Sequence, residues 1–183
     1  MPALPRITDN RSLPSSTNRD TMTTAPTFPA SLPPPALEHL CDLLVSVAPA
    51  IVIGDTPSGT RRVIPITGGT VRGRINGRVL NAGADFQLVH GAGTEAHLDA
   101  RYVIEADDRA LIWVHNTALR VASPENVRKL MAREPVNPAE VYFRCQPRLE
   151  AAAPQWQCLN HSQFIGSVRR ADGGVFLSFY SVL

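Results

Sequence analysis

From residue 36 onward the chain reads as short stretches whose apolar and polar positions alternate, separated by turn-forming residues. Such a period of two puts alternate side chains on opposite faces of a strand. The stretch LCDLLVSVA near 39–48 has leucine spacing that would suit a helix at its start. It alternates in its second half and stops at Pro49, and a strand is expected there. IVIG and the segment up to Gly68-Gly69 flank a turn at Asp55–Gly59, and TVRGRINGRVLN sets Val71, Gly73 and Ile75 against Arg72 and Arg74. Asn76-Gly77 is a tight-turn dipeptide. Further strands are expected in GADFQLVH, HLDARYVIEA (97–106), ALIWVHNTALRVA (110–122), VYFRCQPRLE (141–150), PQWQCLNHSQFIGSVRR (154–170) and VFLSFYSVL (175–183).

One short helix is predicted near 123–134. Ser123 suits the N-cap, Pro124 the first turn, and Glu125 the positive helix end. Val127, Leu130 and Met131 would form its apolar stripe, and Pro135 stops it. Many short strands, tight turns and a single helix describe a mainly-β fold. A closed antiparallel up-and-down β-barrel leaves no long open edge in a domain this size.

Residues 1–35 differ in kind. They are rich in Pro, Ser and Thr, carry the run Pro33-Pro34-Pro35, and show no hydrophobic period. The expectation is a disordered leader, with Met22 a second candidate start, followed by a single barrel domain over 36–183.

Composition narrows the function. The net charge is +2, Lys129 is the single lysine, and the arginines are scattered rather than gathered into a basic stripe, so no nucleic-acid partner is expected. No apolar run approaches a membrane span and no membrane partner is expected. Cys41, Cys145 and Cys158 contain no Cys-x-x-Cys pair, and with no signal peptide in view the expected compartment is the cytoplasm. Cys145 and Cys158 sit in apolar settings and read as inert buried thiols. His39, His90, His97, His115 and His161 lack metal-ligand spacing, and no phosphate loop or Gly-x-Ser-x-Gly elbow occurs, so no metal and no cofactor are expected.

Candidate chemistry comes from the polar faces of the strands. Asp85 and Gln87 share a face, as do Asp99 and Arg101, and Tyr142, Arg144 and Gln146; Trp156, Cys158 and Asn160 would share another. The opposite faces are more apolar: Phe86/Leu88, Leu98/Ala100/Tyr102 and Val141/Phe143/Cys145. Two arrangements fit. A barrel that buries its apolar faces would leave these acids and arginines wet outside. A barrel with a polar lumen would gather them around a ligand.

The succession IPITGGTVRGRINGRVLNAGADFQ, LDARYVIEADDRALIWVHN, VYFRCQPRLE and WQCLN resembles a bacterial and fungal family called domain of unknown function 3237, or uncharacterised protein family 0311. The resemblance spans about residues 37–183 and implies a barrel of calycin or allene-oxide-cyclase type. It implies little chemistry, since most members have no assigned activity. It does favour the polar lumen, because these same polar positions are the family's motif residues. Where the family usually reads Gly-Gly-Ala-Asp-Trp-Gln, this chain has Ala82 and Phe86, so any contact made by an indole N–H is lost.

On that reading the expected function is small-molecule binding in the lumen with cofactor-independent acid–base chemistry of isomerase, cyclase or lyase type. The ligand would be aromatic or ketone-bearing. Asp85, Asp99, Arg101, Tyr142 and Arg144 are the catalytic candidates. Phe86, Gln87, Asn116, Glu150, Trp156 and Asn160 are the ligand-binding candidates. A non-catalytic binding barrel and a homodimeric structural module are the alternatives.

Overall fold

A computed structural model describes residues 29–132 and 134–183. The expected leader falls almost wholly outside the described residues, as does Met22; residues 29–34 carry no regular secondary structure. The barrel is one compact unit, Pro35–Leu183.

Ten strands follow in chain order: β1 (Leu37–Val47), β2 (Ile51–Thr56), β3 (Gly59–Gly73), β4 (Gly77–Val79), β5 (Gly83–His90), β6 (Glu95–Ala106), β7 (Leu111–Val121), β8 (Tyr142–Ala151), β9 (Gln163–Ala171) and β10 (Gly174–Val182). They pair antiparallel in the order β1-β10-β9-β8-β7-β6, β6 pairs with β4 and β5, both of these pair with β3, and β3 returns to β1. With β4 and β5 sharing one place, eight positions close into a barrel. β2 continues beside the first half of β3.

β3 changes partners halfway. Its first half pairs with β5 and β2, its second with β4 and β1. Gly69, at φ 149°, sits at that switch, where an added Cβ would lie 2.4 Å from the Leu44 carbonyl oxygen. Backbones can approach this closely only without a side chain.

The Asn76-Gly77 corner is made as its dipeptide predicts. The Asn76 amide donates to the Gly73 carbonyl at 2.8 Å and accepts from the Gly73 N–H at 3.2 Å. The helix α1 spans Pro124–Ala132, with the Ser123 hydroxyl accepting from the Asn126 N–H at 3.1 Å. Its stripe is narrower than expected: Val127 is buried, Leu130 half-buried, and Met131 79% exposed.

The expected strand over 154–170 starts late. Pro154–His161 is a 3-10 helix, so Trp156, Cys158 and Asn160 share no strand face. A proline within its first turn and the side-chain tie from Asn160 to β8 favour the turn over an extended chain. Cys158 is exposed there, which corrects the expectation of a buried thiol, whereas Cys41 and Cys145 are buried.

The core fills one end of the barrel. Leu43, Ile75, Ile104, Ile112, Leu149, Phe164 and Phe179 are each no more than 2% exposed, and Leu159 of the 3-10 helix closes over that end at 3%. The other end is hollow.

Candidate functional site

A cavity of about 980 Å³ opens at that end. Its position follows from strand register. Residues directly opposite in a sheet point to the same side, and Asp85 is paired with Ala100, which is paired with Asn116. The next inward set is Arg62, Gln87, Leu98 and Ala118. Beyond it, toward the open end, lie Ala96 and Arg120. The apolar lining comes from Val45, Ile66, Leu98, Ala118, Phe143 and Leu177.

A chain of polar contacts runs through this wall. Arg62 Nε donates to Gln87 Oε1 at 2.7 Å, and the Gln87 amide donates in turn to Asp85 Oδ2. Asp85 Oδ1, Tyr102 Oη, Asn116 Oδ1 and Arg120 Nε are buried with no hydrogen-bond partner among the described residues. A buried polar atom left unpaired costs about 1–3 kcal/mol. Four such atoms against one hollow are what a site that receives a polar ligand or ordered water presents.

Electrostatics follow from burial. Desolvation pushes the Asp85 carboxyl above the ordinary aspartate value, opposed by the Gln87 amide, the nearby Asp99 backbone N–H and the Arg62 charge, and reinforced by the charge of Asp99. Burial likewise holds Arg62 and Arg120 below the usual guanidinium range, and Arg170 at the rim adds like-charge repulsion to both. The fully enclosed Tyr102 phenol is pushed well above its usual value by burial first.

Of the residues singled out from sequence, the lumen holds Asp85, Gln87 and Asn116. The expectation that the rest line it is corrected. Asp99 and Arg101 stand on the outer wall, Asp99 accepting from His115 Nε2 at 2.8 Å and from Arg101 at 3.3 Å. Since Asp85 faces in, its partner Ala100 must face in and both neighbours of Ala100 must face out. Tyr142 and Arg144 are exposed, with the guanidinium 5.6 Å from the Tyr142 ring centre and Nη1 donating to the Phe143 carbonyl. Their inward counterparts are Val141, Phe143 and Cys145.

Phe86 is outside and 51% exposed, and Glu150 pairs with Arg148 at 2.7 Å on the same outer wall. Trp156 donates from Nε1 to Asp108 at 2.8 Å, beyond the filled end. Asn160 is committed to the backbone, accepting from the Ala151 N–H and donating to the Ala151 carbonyl, each at 2.9 Å.

Sequence reasoning missed Arg62, Arg120 and Tyr102 as site residues. Tyr102 belongs to the apolar face of β6, which is the inward one. Arg62 lies beside Arg61 and Arg120 is the penultimate residue of β7, so neither carries a local signal; only the register brings them to the lumen with Asp85.

Comparison with known proteins places the whole barrel region. The model of the family described as protein of unknown function (DUF3237) matches residues 35–182. This chain belongs to that family. A UPF0311 protein of Rhodopseudomonas palustris is 41% identical over 131 residues, 71% of this chain and 85% of the relative. One from Clostridium acetobutylicum is 34% identical over 147 residues, 79% and 92% of the two chains. Among solved structures, a Rhodopseudomonas palustris protein of unknown function superposes with a TM-score of 0.78 at 35% identity, covering 83% of this chain and all of that one. A β-barrel-like protein of Acinetobacter baumannii superposes at 0.73 and 36% identity, covering 84% and 99%. An enzyme from Penicillium herquei shares the fold at 0.64 and 18% identity, covering 85% and 100%. The closed barrel and the family resemblance expected from sequence are thus both found.

Proposed function

We propose that this member of the family binds a small organic molecule in the open end of its barrel and exchanges a proton with it through Asp85. One observation carries the reading: a mostly buried carboxyl whose Oδ1 accepts no hydrogen bond among the described residues, at the wall of a cavity of about 980 Å³. Cavities of roughly 300–1,000 Å³ with apolar walls and a few converging polar groups are the usual form of a small-molecule site.

The chemistry follows from position. A carboxyl raised above its ordinary value by burial is poised to take and return a proton closer to neutrality. The Gln87 amide holds one oxygen, which leaves the other to the ligand. Asn116 and Tyr102 add polar atoms on neighbouring strands, suited to orient a carbonyl or hydroxyl. Proton relocation of this kind supports isomerisation, cyclisation or elimination on a ketone-bearing or aromatic molecule. In a non-catalytic barrel the same carboxyl would only orient its ligand.

N-phenyl-1-naphthylamine, a neutral fluorescent probe, tests the binding step. Wild type should bind it saturably, and Ala118→Phe, which fills the cavity beside Leu98, should abolish binding while the fold survives. Undiminished binding by the filled variant would place the probe elsewhere and refute the lumen. Asp85→Asn should keep the probe and lose turnover of any substrate found by screening.

A further inference from the structure

We propose that the open end of the cavity is an anion clamp, in which Arg62 and Arg120, with Arg170 at the rim, hold the carboxylate or sulfonate of an amphipathic organic acid. The inference rests on the lumen being the ligand site and adds the class of ligand.

On the outside, five guanidinium groups meet acids: Arg74 with Glu38, Arg78 and Arg109 with Glu105, Arg101 with Asp99, and Arg148 with Glu150. Others there, such as Arg144, turn to a backbone carbonyl instead. Arg62, Arg120, Arg169 and Arg170 line the cavity and none makes an ion pair among the described residues; the Arg169 guanidinium lies 4.6 Å from the Phe176 ring centre. Arg62 spends its Nε on the neutral Gln87 amide. Arg120 donates from Nη2 to the Gly93 carbonyl at 3.1 Å and leaves Nε buried and unpaired. Arg170 donates to the Leu130 carbonyl at the end of α1.

Against these four cations the strands turn one acid inward, Asp85, and the rim adds Glu134 and Asp172. Neither rim acid forms an ion pair with the cluster. Clustered guanidinium groups, partly desolvated and facing an apolar hollow, are a receptor for an anion, because each presents a planar fork that a carboxylate or sulfonate oxygen pair can accept.

The ladder also sets a length. Asn116 and Arg120 are four residues apart on β7, about 13 Å at the usual strand rise. Arg62 stands one inward step from the Asp85 set, about 7 Å along the strand. An acid whose anionic head meets Arg120 and Arg62 would lay its apolar body along Leu98, Ala118 and Phe143 and bring its far end to Asp85 and Asn116. The clamp therefore orients the molecule end-on as well as selecting its charge.

The test compares two fluorescent probes that share one ring system, N-phenyl-1-naphthylamine and its sulfonate, 8-anilino-1-naphthalenesulfonate. Wild type should bind the sulfonate about ten- to a hundredfold more tightly, the range expected of charge-assisted hydrogen bonds. Arg62→Met/Arg120→Met should bring the sulfonate down to the affinity of the neutral probe, whose own binding stays unchanged. The outer-wall variant Arg101→Met/Arg148→Met should keep the full preference. Should circular dichroism show the double lumen variant unfolded, Arg120→Gln alone must lower the preference.

Equal binding of both probes by wild type would overturn the clamp and leave the lumen site standing. A preference lost in the outer-wall variant and kept in the lumen variant would overturn it too. Failure of both probes to bind would remove the lumen reading and the clamp with it.

Discussion

Asn160→Ala separates a structural asparagine from a ligand-binding one. The side chain makes two hydrogen bonds of 2.9 Å to a single residue, one to the N–H and one to the carbonyl of Ala151. They tie the 3-10 helix Pro154–His161 to the end of β8, and that helix lays Leu159 over the filled end of the barrel. Neutral hydrogen bonds contribute about 0.5–1.5 kcal/mol each, so losing both costs about 2 kcal/mol. For a domain near 150 residues that corresponds to a drop in Tm of about 4–8 °C.

Urea unfolding followed by circular dichroism measures it, with an unchanged slope expected, since the surface exposed on unfolding stays the same. Asn160→Asp keeps an acceptor for the Ala151 N–H but places a charge against the Ala151 carbonyl, and should be no more stable than Asn160→Ala. Probe binding in the lumen should be unaffected by either. A loss below about 0.5 kcal/mol would refute the reasoning, being no more than an ordinary surface substitution. Loss of probe binding at undiminished stability would return Asn160 to the ligand.

Three further outcomes are expected. Asp85→Asn should be at least as stable as wild type near neutral pH. Burial raises the Asp85 value, so the native state holds its proton over a range where the unfolded chain has released it; wild-type stability then falls as pH climbs from the unfolded value, 3.8, through the raised one. Melting curves across that range should show the variant's advantage vanish toward pH 3.8, and an advantage that instead grows on acidification would contradict the sign. Gly69→Ala should lose more than about 1 kcal/mol in chemical denaturation, because its φ of 149° is strained for alanine and its Cβ meets the Leu44 carbonyl. With Ellman's reagent at pH 8, Cys158 should react promptly in the native protein, while Cys41 and Cys145, buried and pushed up to about 12, react only on unfolding; three equally fast thiols would count against the packing around them.

The strands were legible because alternation and turn dipeptides are local, and the closure of the barrel followed from their number and the cost of open edges. The direction each face points was not. Alternation sorts Asp85 with Gln87 and Asp99 with Arg101, but which set faces the lumen depends on the pairing of Asp85 with Ala100, a relation between strands. One inward Asp85 sends Asp99 and Arg101 outside, where His115 and Arg101 satisfy the Asp99 carboxylate. The polar inward face of β5 and the apolar inward face of β6 therefore coexist in one wall, a mixture that no uniform rule about polar faces would produce. Trp156 and Asn160 were misplaced for a different reason: the alternation persists through a proline-initiated 3-10 helix whose geometry is fixed by its tie to β8.

The most direct measurement is a crystal structure of the protein grown with 8-anilino-1-naphthalenesulfonate. The account predicts the naphthalene rings between Leu98, Ala118 and Phe143, the sulfonate on Arg62 and Arg120, and the far end toward Asp85 and Asn116. Dye bound on the outer wall against the exposed rings of Phe86 and Trp113, with the barrel left empty, would contradict it.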